Sequence, residues 1–207
     1  MATVILANGH FPTHEIPLKI LKEAEKVVCC DGATLNLLDF GMEPDVIVGD
    51  IDSIPDEIVE KYKSIIVTIS EQETNDLTKS VNWCVENNLR DLIILGATGL
   101  RDDHTLGNIS LLCQYVKTAN VKMVTDYGVF TPIEKTSKFE SFPGQQVSIF
   151  SIFPETKITT ENLKYPLKQR GLLSWWQGTL NESTAGFFTI SFEQGEVIIF
   201  RKFKKYE

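Results

Sequence analysis

The sequence is poor in the residues that build common zinc and redox sites. It contains three histidines and four cysteines, and Cys29, Cys30, Cys84 and Cys113 form no CxxC pair. Because structural zinc sites and disulfide frameworks both need such clusters, the cysteine pattern argues against either one. We predict that all four thiols are buried and reduced, which is typical of a cytoplasmic protein.

Long apolar runs and an excess of basic residues are also missing. No run approaches the roughly 20 apolar residues that span a bilayer, and the opening "MATVILANGH" lacks the basic start of a signal peptide. The net charge of −8 argues against a nucleic-acid phosphate backbone as the main partner. We therefore expect a cytoplasmic protein that binds neither membrane nor nucleic acid. The phosphate-binding motifs GxxxxGK[ST] and GxGxxG are absent as well.

What the sequence does contain is a change of pattern about two-thirds of the way along its 207 residues. Residues 1–128 alternate short, almost continuously apolar runs with amphipathic helical segments, which predicts a parallel sheet covered on both faces in a Rossmann-like α/β domain. Residues 129–207 carry β-type runs separated by turn signals such as "FPGQQ" and "EQGE". They predict a smaller all-β sandwich domain.

Polar segments follow five successive predicted strands of the first domain. In chain order, the five segments are the one at Asn8 and the segments "DGAT", "GDIDS", "EQETNDLTK" and "GATGLRDDHTLGN". Because the carboxyl ends of parallel strands meet at one edge of a sheet, these segments bring many carboxylates together: Asp31, Asp50, Asp52, Glu73, Asp76, Asp102 and Asp103. A single such aspartate is usually a cap or turn former, but five segments in succession indicate a site. Ser53 is expected to cap the helix after "GDIDS".

Crowded carboxylates repel one another, and a cation would relieve that repulsion. Oxygen ligands without clustered histidine or cysteine select a hard ion, magnesium rather than zinc, and magnesium commonly bridges carboxylates to phosphates. The same segments supply glycines for close backbone approach, helix amino termini and two cations: Gly32, Gly49, Gly96, Gly99, Asn75, Asp103, Lys79 and Arg101. The residues therefore predict a magnesium-dependent site for a polyphosphate nucleotide.

In this order, "ANG", "DGATLN", "PDVIVGDIDS", "ETNDLTKS" and "GATGLRDDHTLGN" resemble the thiamine pyrophosphokinase family. In the second domain, "NLKYPL" and "GTLNES" resemble its thiamine-side segments more loosely. The resemblance implies a nucleotide domain followed by a β-sandwich, a homodimer, and transfer of a pyrophosphoryl group from ATP to the hydroxyl of thiamine, releasing AMP. Magnesium is the implied cofactor.

The resemblance also implies roles for particular residues. The expected magnesium ligands are Asp50, Asp52, Asp76 and Asp103, with Asp31 as a further candidate. The expected catalytic residues are Asp52, Asp76, Lys79, Arg101, Asp103 and His104. The expected nucleotide-binding residues are Asn8, Asp31, Gly32, Asp50, Gly96, Gly99 and Asn108. His104 and Asn108 share one helix face, and His104 serves either as a general base or as a positioning group.

Trp175 and Trp176 are adjacent in the second domain. If they lie on a strand, their side chains face opposite sides and only one can enter the core. The other is then available to stack on a cationic heteroaromatic ring such as that of thiamine, or to pack at a dimer interface. Asn181 is the candidate contact for the pyrimidine.

The chain departs from the family pattern at three positions. Leu100 stands where glycine is frequent, Asn75 where threonine is common, and Leu180 where serine is usual. The first two leave the predicted metal site intact, whereas the third concerns pyrimidine recognition. The rival interpretations are a pyrophosphokinase with another acceptor such as a hydroxymethylpterin, a non-catalytic nucleotide-binding module, and a metal-dependent phosphohydrolase.

Overall fold

The computed structural model describes residues 2–204, which divide into two compact units. The first unit comprises the residues up to Leu111 together with Thr118–Asp126. The second comprises Leu112–Lys117 and the residues from Tyr127 onward. The division is therefore not a single cut in the sequence, because a short segment near residue 115 belongs to the later unit.

Six parallel strands form the sheet of the first unit in the order β4-β3-β2-β1-β5-β6. The strands are β1 (Thr3–Leu6), β2 (Lys26–Cys30), β3 (Val46–Gly49), β4 (Ile66–Thr68), β5 (Asp91–Leu95) and β6 (Asn120–Val124). The helices are α1 (Glu15–Lys22), α2 (Ala33–Asp39), α3 (Asp56–Tyr62), α4 (Asp76–Glu86) and α5 (Asp102–Tyr115). The chain runs outward from β1 in both directions, so the strand order reverses there, which is where ligands bind in open sheets of this kind.

The central strand β1 is buried along its whole length. Val4, Ile5 and Leu6 of β1 are fully inaccessible to solvent, as the near-continuous apolar pattern predicts for a parallel sheet. The four cysteines are buried and free, as predicted. Burial raises the pKa of the Cys30 thiol to about 12, which leaves it protonated at neutral pH. No helix in residues 2–204 is both long enough and apolar enough to cross a membrane.

Two predicted helix starts had different outcomes. The expected helix after "EQETN" is α4, with Asn75 as its N-cap accepting a hydrogen bond from the Thr78 N–H at 2.9 Å. The prediction that Ser53 caps α3 is wrong, since α3 begins at Asp56 directly after Pro55. Pro55 is the N-cap of α3, and its missing N–H costs no helical hydrogen bond because the first backbone N–H groups of a helix have no partner within it. Ser53 is left in the preceding loop.

Seven antiparallel strands form two sheets in the second unit, in the orders β11-β9-β13-β7 and β10-β12-β8. The strands are β7 (Gly128–Ile133), β8 (Ser137–Glu140), β9 (Gln146–Ser151), β10 (Thr159–Glu161), β11 (Asn181–Glu182), β12 (Phe187–Ser191) and β13 (Val197–Lys202). One hydrophobic cluster joins both sheets, with Ile149, Phe188 and Ile199 fully buried in it. The architecture is mixed α/β with a separate antiparallel sheet. The Rossmann-like and sandwich descriptions stay predictions.

The two adjacent tryptophans do not lie on a strand, so the premise of opposite strand faces is wrong. Trp175–Gly178 is a 3₁₀ helix that starts with a capping box between Ser174 and Gln177. The Trp175 ring packs edge-on against Phe150 with 5.9 Å between ring centroids. The Trp176 side chain is 73% exposed.

Candidate active site

Three carboxylates meet at the carboxyl edge of the first unit's sheet. Asp31 follows β2, Asp50 follows β3, and Asp76 is the first residue of α4. One oxygen of each lies within 4.8 Å of one oxygen of the other two. We call these three residues the acidic group. Asp31 is 3% exposed, and its Oδ1 has no hydrogen-bond partner within residues 2–204.

The loop after β3 separates the two aspartates of "GDIDS". Ile51 adopts a left-handed conformation with φ of +70°, which turns the chain sharply between them. Asp50 joins the acidic group and accepts a hydrogen bond from Gln72 Nε2 at 3.2 Å, which lowers the pKa of its carboxyl. Asp52 is exposed and accepts a hydrogen bond from Ser53 Oγ at 2.9 Å. The structure therefore brings only the first of the pair into the acidic group.

The Asp31 carboxyl is the least solvated member of the acidic group. Burial raises its pKa, hydrogen bonding with Ser53 opposes that shift, and the charges of Asp76 and Asp52 raise the pKa further. The Ser53 N–H donates to Asp31 Oδ2 at 3.3 Å. The strand end at Gly49 makes this close packing possible, since a Cβ there would lie 2.8 Å from the Asp31 Cβ.

One buried lysine accompanies these carboxylates. Lys79 is 3% exposed, and its Nζ lies 3.1 Å from Asp76 Oδ1. The two residues are three apart on α4, which places their side chains on one helical face. Three carboxylates and one ammonium leave the cluster with excess negative charge when all are ionised. That excess, together with the unpartnered oxygen of Asp31, suits a hard cation.

A cleft of 380 Å³ opens beside the acidic group. The predicted residues that line it are Asn8, Asp76, Gly99, Arg101, His104 and Asn108. The first and fifth polar segments are joined there, because the N–H of Gly9 donates to the Gly96 carbonyl at 2.7 Å. Gly32 lies against Asn8, whose Nδ2 would be 2.6 Å from a Cβ at position 32. Residues from the first, third, fourth and fifth of the five predicted segments therefore line one cleft.

Some residues around this cleft were not predicted as site residues. Cys30 and Ser53 also line the cleft, and Gln72 donates a hydrogen bond to Asp50. Each is within four residues of a predicted aspartate, so proximity in sequence was the available signal. Glu73 and Asp102 were expected at the same edge of the sheet. Both side chains are exposed, and within residues 2–204 neither belongs to the acidic group.

Asp103 and Arg101 are paired with each other rather than with the acidic group. The Arg101 guanidinium donates to Asp103 through Nη2 at 2.6 Å and through Nε at 3.2 Å. This two-point contact lowers the pKa of Asp103 to about 2. Both side chains are about two-thirds exposed, so neither is held in place by packing. Asp103 lies outside the acidic group as found among residues 2–204, so its predicted role as a magnesium ligand stays a prediction.

The second unit has its own cleft of 580 Å³, built from the segments "NLKYPL" and "GTLNES". Asn181 lines it, but its amide is engaged by the protein backbone: Oδ1 accepts from the N–H of Tyr165 at 3.0 Å and Nδ2 donates to the Tyr165 carbonyl at 2.8 Å. Asn181 therefore ties the two segments together. In the part of the chain that the structure describes, neither Trp175 nor Trp176 is among the lining residues.

Comparison with protein families gives two consecutive matches. The model for the thiamin pyrophosphokinase catalytic domain matches residues 18–125, and the model for its substrate-binding domain matches residues 128–200. A thiamine pyrophosphokinase of Bacillus subtilis is 31% identical over 188 residues, which is 83% of this chain and 84% of that protein.

Solved structures give the same result for the fold. The crystal structure of a thiamine pyrophosphokinase from Bacillus subtilis matches with a TM-score of 0.80 at 27% identity, covering 98% of this chain and all of that chain. A thiamin pyrophosphokinase from Geobacillus thermodenitrificans matches with a TM-score of 0.78 at 27% identity, covering 99% of both chains.

Proposed function

Because the chain belongs to the thiamin pyrophosphokinase family of enzymes, we propose that it makes thiamine diphosphate from thiamine, with ATP as donor and magnesium as cofactor. In the proposed reaction the thiamine hydroxyl oxygen forms a bond to the β-phosphorus of ATP. The bond from that phosphorus to the α–β bridging oxygen breaks, AMP leaves with that oxygen, and the hydroxyl proton passes to a base.

The acidic group is the single observation that supports the magnesium site most strongly. Its donors are carboxylate oxygens, and the buried Asp31 Oδ1 lacks a partner within residues 2–204. An unpartnered buried oxygen is costly unless a cation or donor completes it. Asp31, Asp50 and Asp76 would hold the ion, and Asp52 and Asp103 stay predicted ligands from the resemblance. When bound, magnesium would neutralise charge on the phosphates and orient them.

The chain's own groups support a site for phosphates beside the ion. Lys79 presents a buried ammonium next to Asp76, and the amino terminus of α4 lines the cleft, where the helix dipole favours an anion. Arg101 lines the cleft and would exchange Asp103 for a phosphate oxygen as substrate binds. Phosphoryl transfer depends mainly on such positioning and charge stabilisation.

His104 lines the same cleft from the first turn of α5. It is the histidine that we assign to the reacting end of the site, either to accept the hydroxyl proton or to orient the acceptor. A pH–rate profile separates these roles. Loss of one ionisation in His104→Gln identifies a base, and an unchanged profile with reduced turnover identifies a positioning group.

For the acceptor, we propose the cleft of the second unit and the exposed aromatic residue near it in sequence. Asn181 shapes this cleft by holding Tyr165. Trp176 presents an exposed indole that would stack on the cationic thiazolium of thiamine. Trp175 is already packed on Phe150, so the stacking role falls to Trp176.

We further propose that the protein is a homodimer. The second unit exposes several large apolar side chains, which is unusual unless a partner or substrate covers them: Tyr165, Leu173, Trp176 and Leu180. Light scattering coupled to size-exclusion chromatography tests the assembly directly. A monomer at micromolar concentration would contradict it.

Incubation with ATP, magnesium and thiamine, followed by identification of the nucleotide product, tests the proposed reaction. Thiamine-dependent AMP is the expected product. ADP, or AMP formed equally without thiamine, would exclude it, and replacement of thiamine by a hydroxymethylpterin tests the rival acceptor. Thiamine-independent release of phosphate would instead support a phosphohydrolase, and Mg–ATP binding without turnover a non-catalytic nucleotide-binding module.

A further inference from the structure

Two asparagine side chains form a chain of hydrogen bonds beside the acidic cleft. Asn108 Nδ2 donates to the Ala97 carbonyl at 2.9 Å, and Asn108 Oδ1 accepts from Asn75 Nδ2 at 3.1 Å. Asn75 Oδ1 in turn accepts from the backbone N–H of Thr78 at 2.9 Å. This amide chain links the loop after β5 to the first turn of α4.

The orientation of both amides is determined by their partners. Reversing Asn108 would place its NH₂ group against Asn75 Nδ2 and its oxygen against the Ala97 carbonyl, so donors would face donors and acceptors would face acceptors. Reversing Asn75 would place its NH₂ group against the Thr78 N–H. Each asparagine therefore acts as donor and acceptor at once. An ionised aspartate at position 108 could only accept, so it would lose the donation to the Ala97 carbonyl.

The first turn of α4 carries two charged residues of the candidate site. Asp76 belongs to the acidic group and Lys79 lies one turn later, with their side chains 3.1 Å apart. A small rotation of this turn would displace a carboxylate oxygen and the buried ammonium together. Since metal affinity depends on ligand placement within a few tenths of an ångström, whatever fixes this turn also sets the site.

We infer that Asn108 is a positioning residue that acts through Asn75 to fix Asp76 and Lys79. This inference rests on the proposed function, because the group being positioned is the one assigned there to magnesium and phosphate. It also changes the role expected for Asn108, from contacting the nucleotide to holding the end of α4 in register with the loop after β5. Asn75 becomes the link between the two.

The test uses two variants that break the amide chain in different ways. Asn75→Ser keeps an oxygen that can cap α4 but removes the donor to Asn108, and Asn108→Ala removes both of its contacts. Each should raise the magnesium concentration for half-maximal turnover about 10-fold, the usual scale for groups that orient metal ligands. The Michaelis constant for thiamine should not change. The double variant should show no further increase, since both single changes break the same chain.

A matched control lies at the other end of the same helix. Asn87 Nδ2 donates to the Trp83 carbonyl at 2.8 Å, so Asn87→Ala removes a comparable side-chain hydrogen bond far along α4 from Asp76. It should retain the wild-type magnesium dependence even if it lowers the melting temperature. If all three single variants lose stability and none changes the magnesium dependence, the role is merely structural and the inference is wrong.

Two other results would also overturn the inference. Additive effects in the double variant would mean two independent contacts. A raised Michaelis constant for ATP in Asn108→Ala alone would mean direct nucleotide contact. Calorimetric binding of Mg–ATP to each variant, without thiamine, separates this inference from the reaction itself. If the wild type binds Mg–ATP but makes no AMP, the proposed function fails while the comparison of variants still stands on the binding data.

Discussion

The clefts of the two units differ in whether their polar side chains have hydrogen-bond partners within the protein. In the first unit, the buried Oδ1 of Asp31 has no hydrogen-bond partner within residues 2–204, and of the three carboxylates of the acidic group Asp76 is paired with Lys79. In the second unit, the amide of Asn181 is engaged by the backbone of Tyr165. This difference underlies the ligands that we propose for the two clefts: a metal–phosphate group for the first, and the ring system of thiamine for the second.

Removing the unmatched charge should give the largest effect. Asp31→Asn preserves shape but removes the buried anion, so we expect turnover to fall at least about 100-fold. Steady-state assays over a range of magnesium concentrations measure this loss. Asp56→Asn, an exposed charge in the first turn of α3, is the control and should keep its activity. Turnover within about twofold of wild type in Asp31→Asn would remove Asp31 from the site.

The second unit should respond through its aromatic surface rather than through charge. Trp176→Ala should raise the Michaelis constant for thiamine about 10-fold, the scale of one lost ring contact of about 1–2 kcal/mol, with an unchanged melting temperature because Trp176 is exposed. Trp175→Ala should instead lower the melting temperature by removing the contact with Phe150. Measuring the Michaelis constant for thiamine and the melting temperature of both variants shows which tryptophan stacks on the substrate. A reversed pattern would give the role to Trp175.

The pH dependence of folding should differ between wild type and Asp31→Asn. Burial raises the pKa of the folded Asp31 carboxyl above its unfolded value, so the folded state binds that proton more tightly. Its contribution to the free energy of unfolding therefore falls as pH rises from about 4, the ordinary aspartate value, through the raised folded pKa.

Without magnesium, Asp31→Asn should thus be more stable than wild type at pH 7, and the difference should shrink below about pH 4. Urea unfolding at several pH values measures it. Asp103 has a lowered pKa and shifts stability in the opposite direction, but it lies outside the acidic group and is present in both proteins, so its contribution cancels in the comparison. A variant less stable than wild type at every pH would contradict the raised pKa of Asp31.

The smallest effect concerns backbone strain at the mouth of the first cleft. Leu100 has φ of +61° and is 77% exposed. A left-handed backbone conformation is unfavourable for leucine, and burial of the side chain does little here to offset that free energy. Leu100→Gly should stabilise the protein by less than about 1 kcal/mol, because glycine's greater entropy in the unfolded chain offsets part of the relief. Leu173→Gly, equally exposed but without positive φ, should destabilise. Thermal unfolding distinguishes the two.

The sequence was most informative about the first cleft. Continuous apolar strands specify a parallel sheet, and a parallel sheet brings residues such as Asp31 and Asp50 to one edge whatever the loop details. What the pattern could not specify was the division of "GDIDS", since that depends on the left-handed turn at Ile51. The pairing of Asp103 with Arg101 likewise depends on side-chain conformations that have no periodic signature.

The second cleft was predicted less completely, because its shape comes from backbone turns rather than from charged motifs. The two tryptophans were considered only under the condition that they lie on a strand, and the sequence "SWWQ" contains the Ser-x-x-Gln pattern of a capping box, which signals a helical turn instead. The cap predicted at Ser53 was two residues too early, because Pro55 is the N-cap of α3. In both places the residues that set the local backbone were the better signal.

The glycine that ends β3 has a consequence for how this chain can change over generations. Every replacement of Gly49 adds a Cβ, which would lie 2.8 Å from that of Asp31, closer than two such atoms come without displacement of one of them. No single substitution at this position is sterically silent. The descendants of this sequence can drift widely on the exposed helical faces, but any lineage that keeps the carboxylate of Asp31 in place must keep the bare backbone beside it.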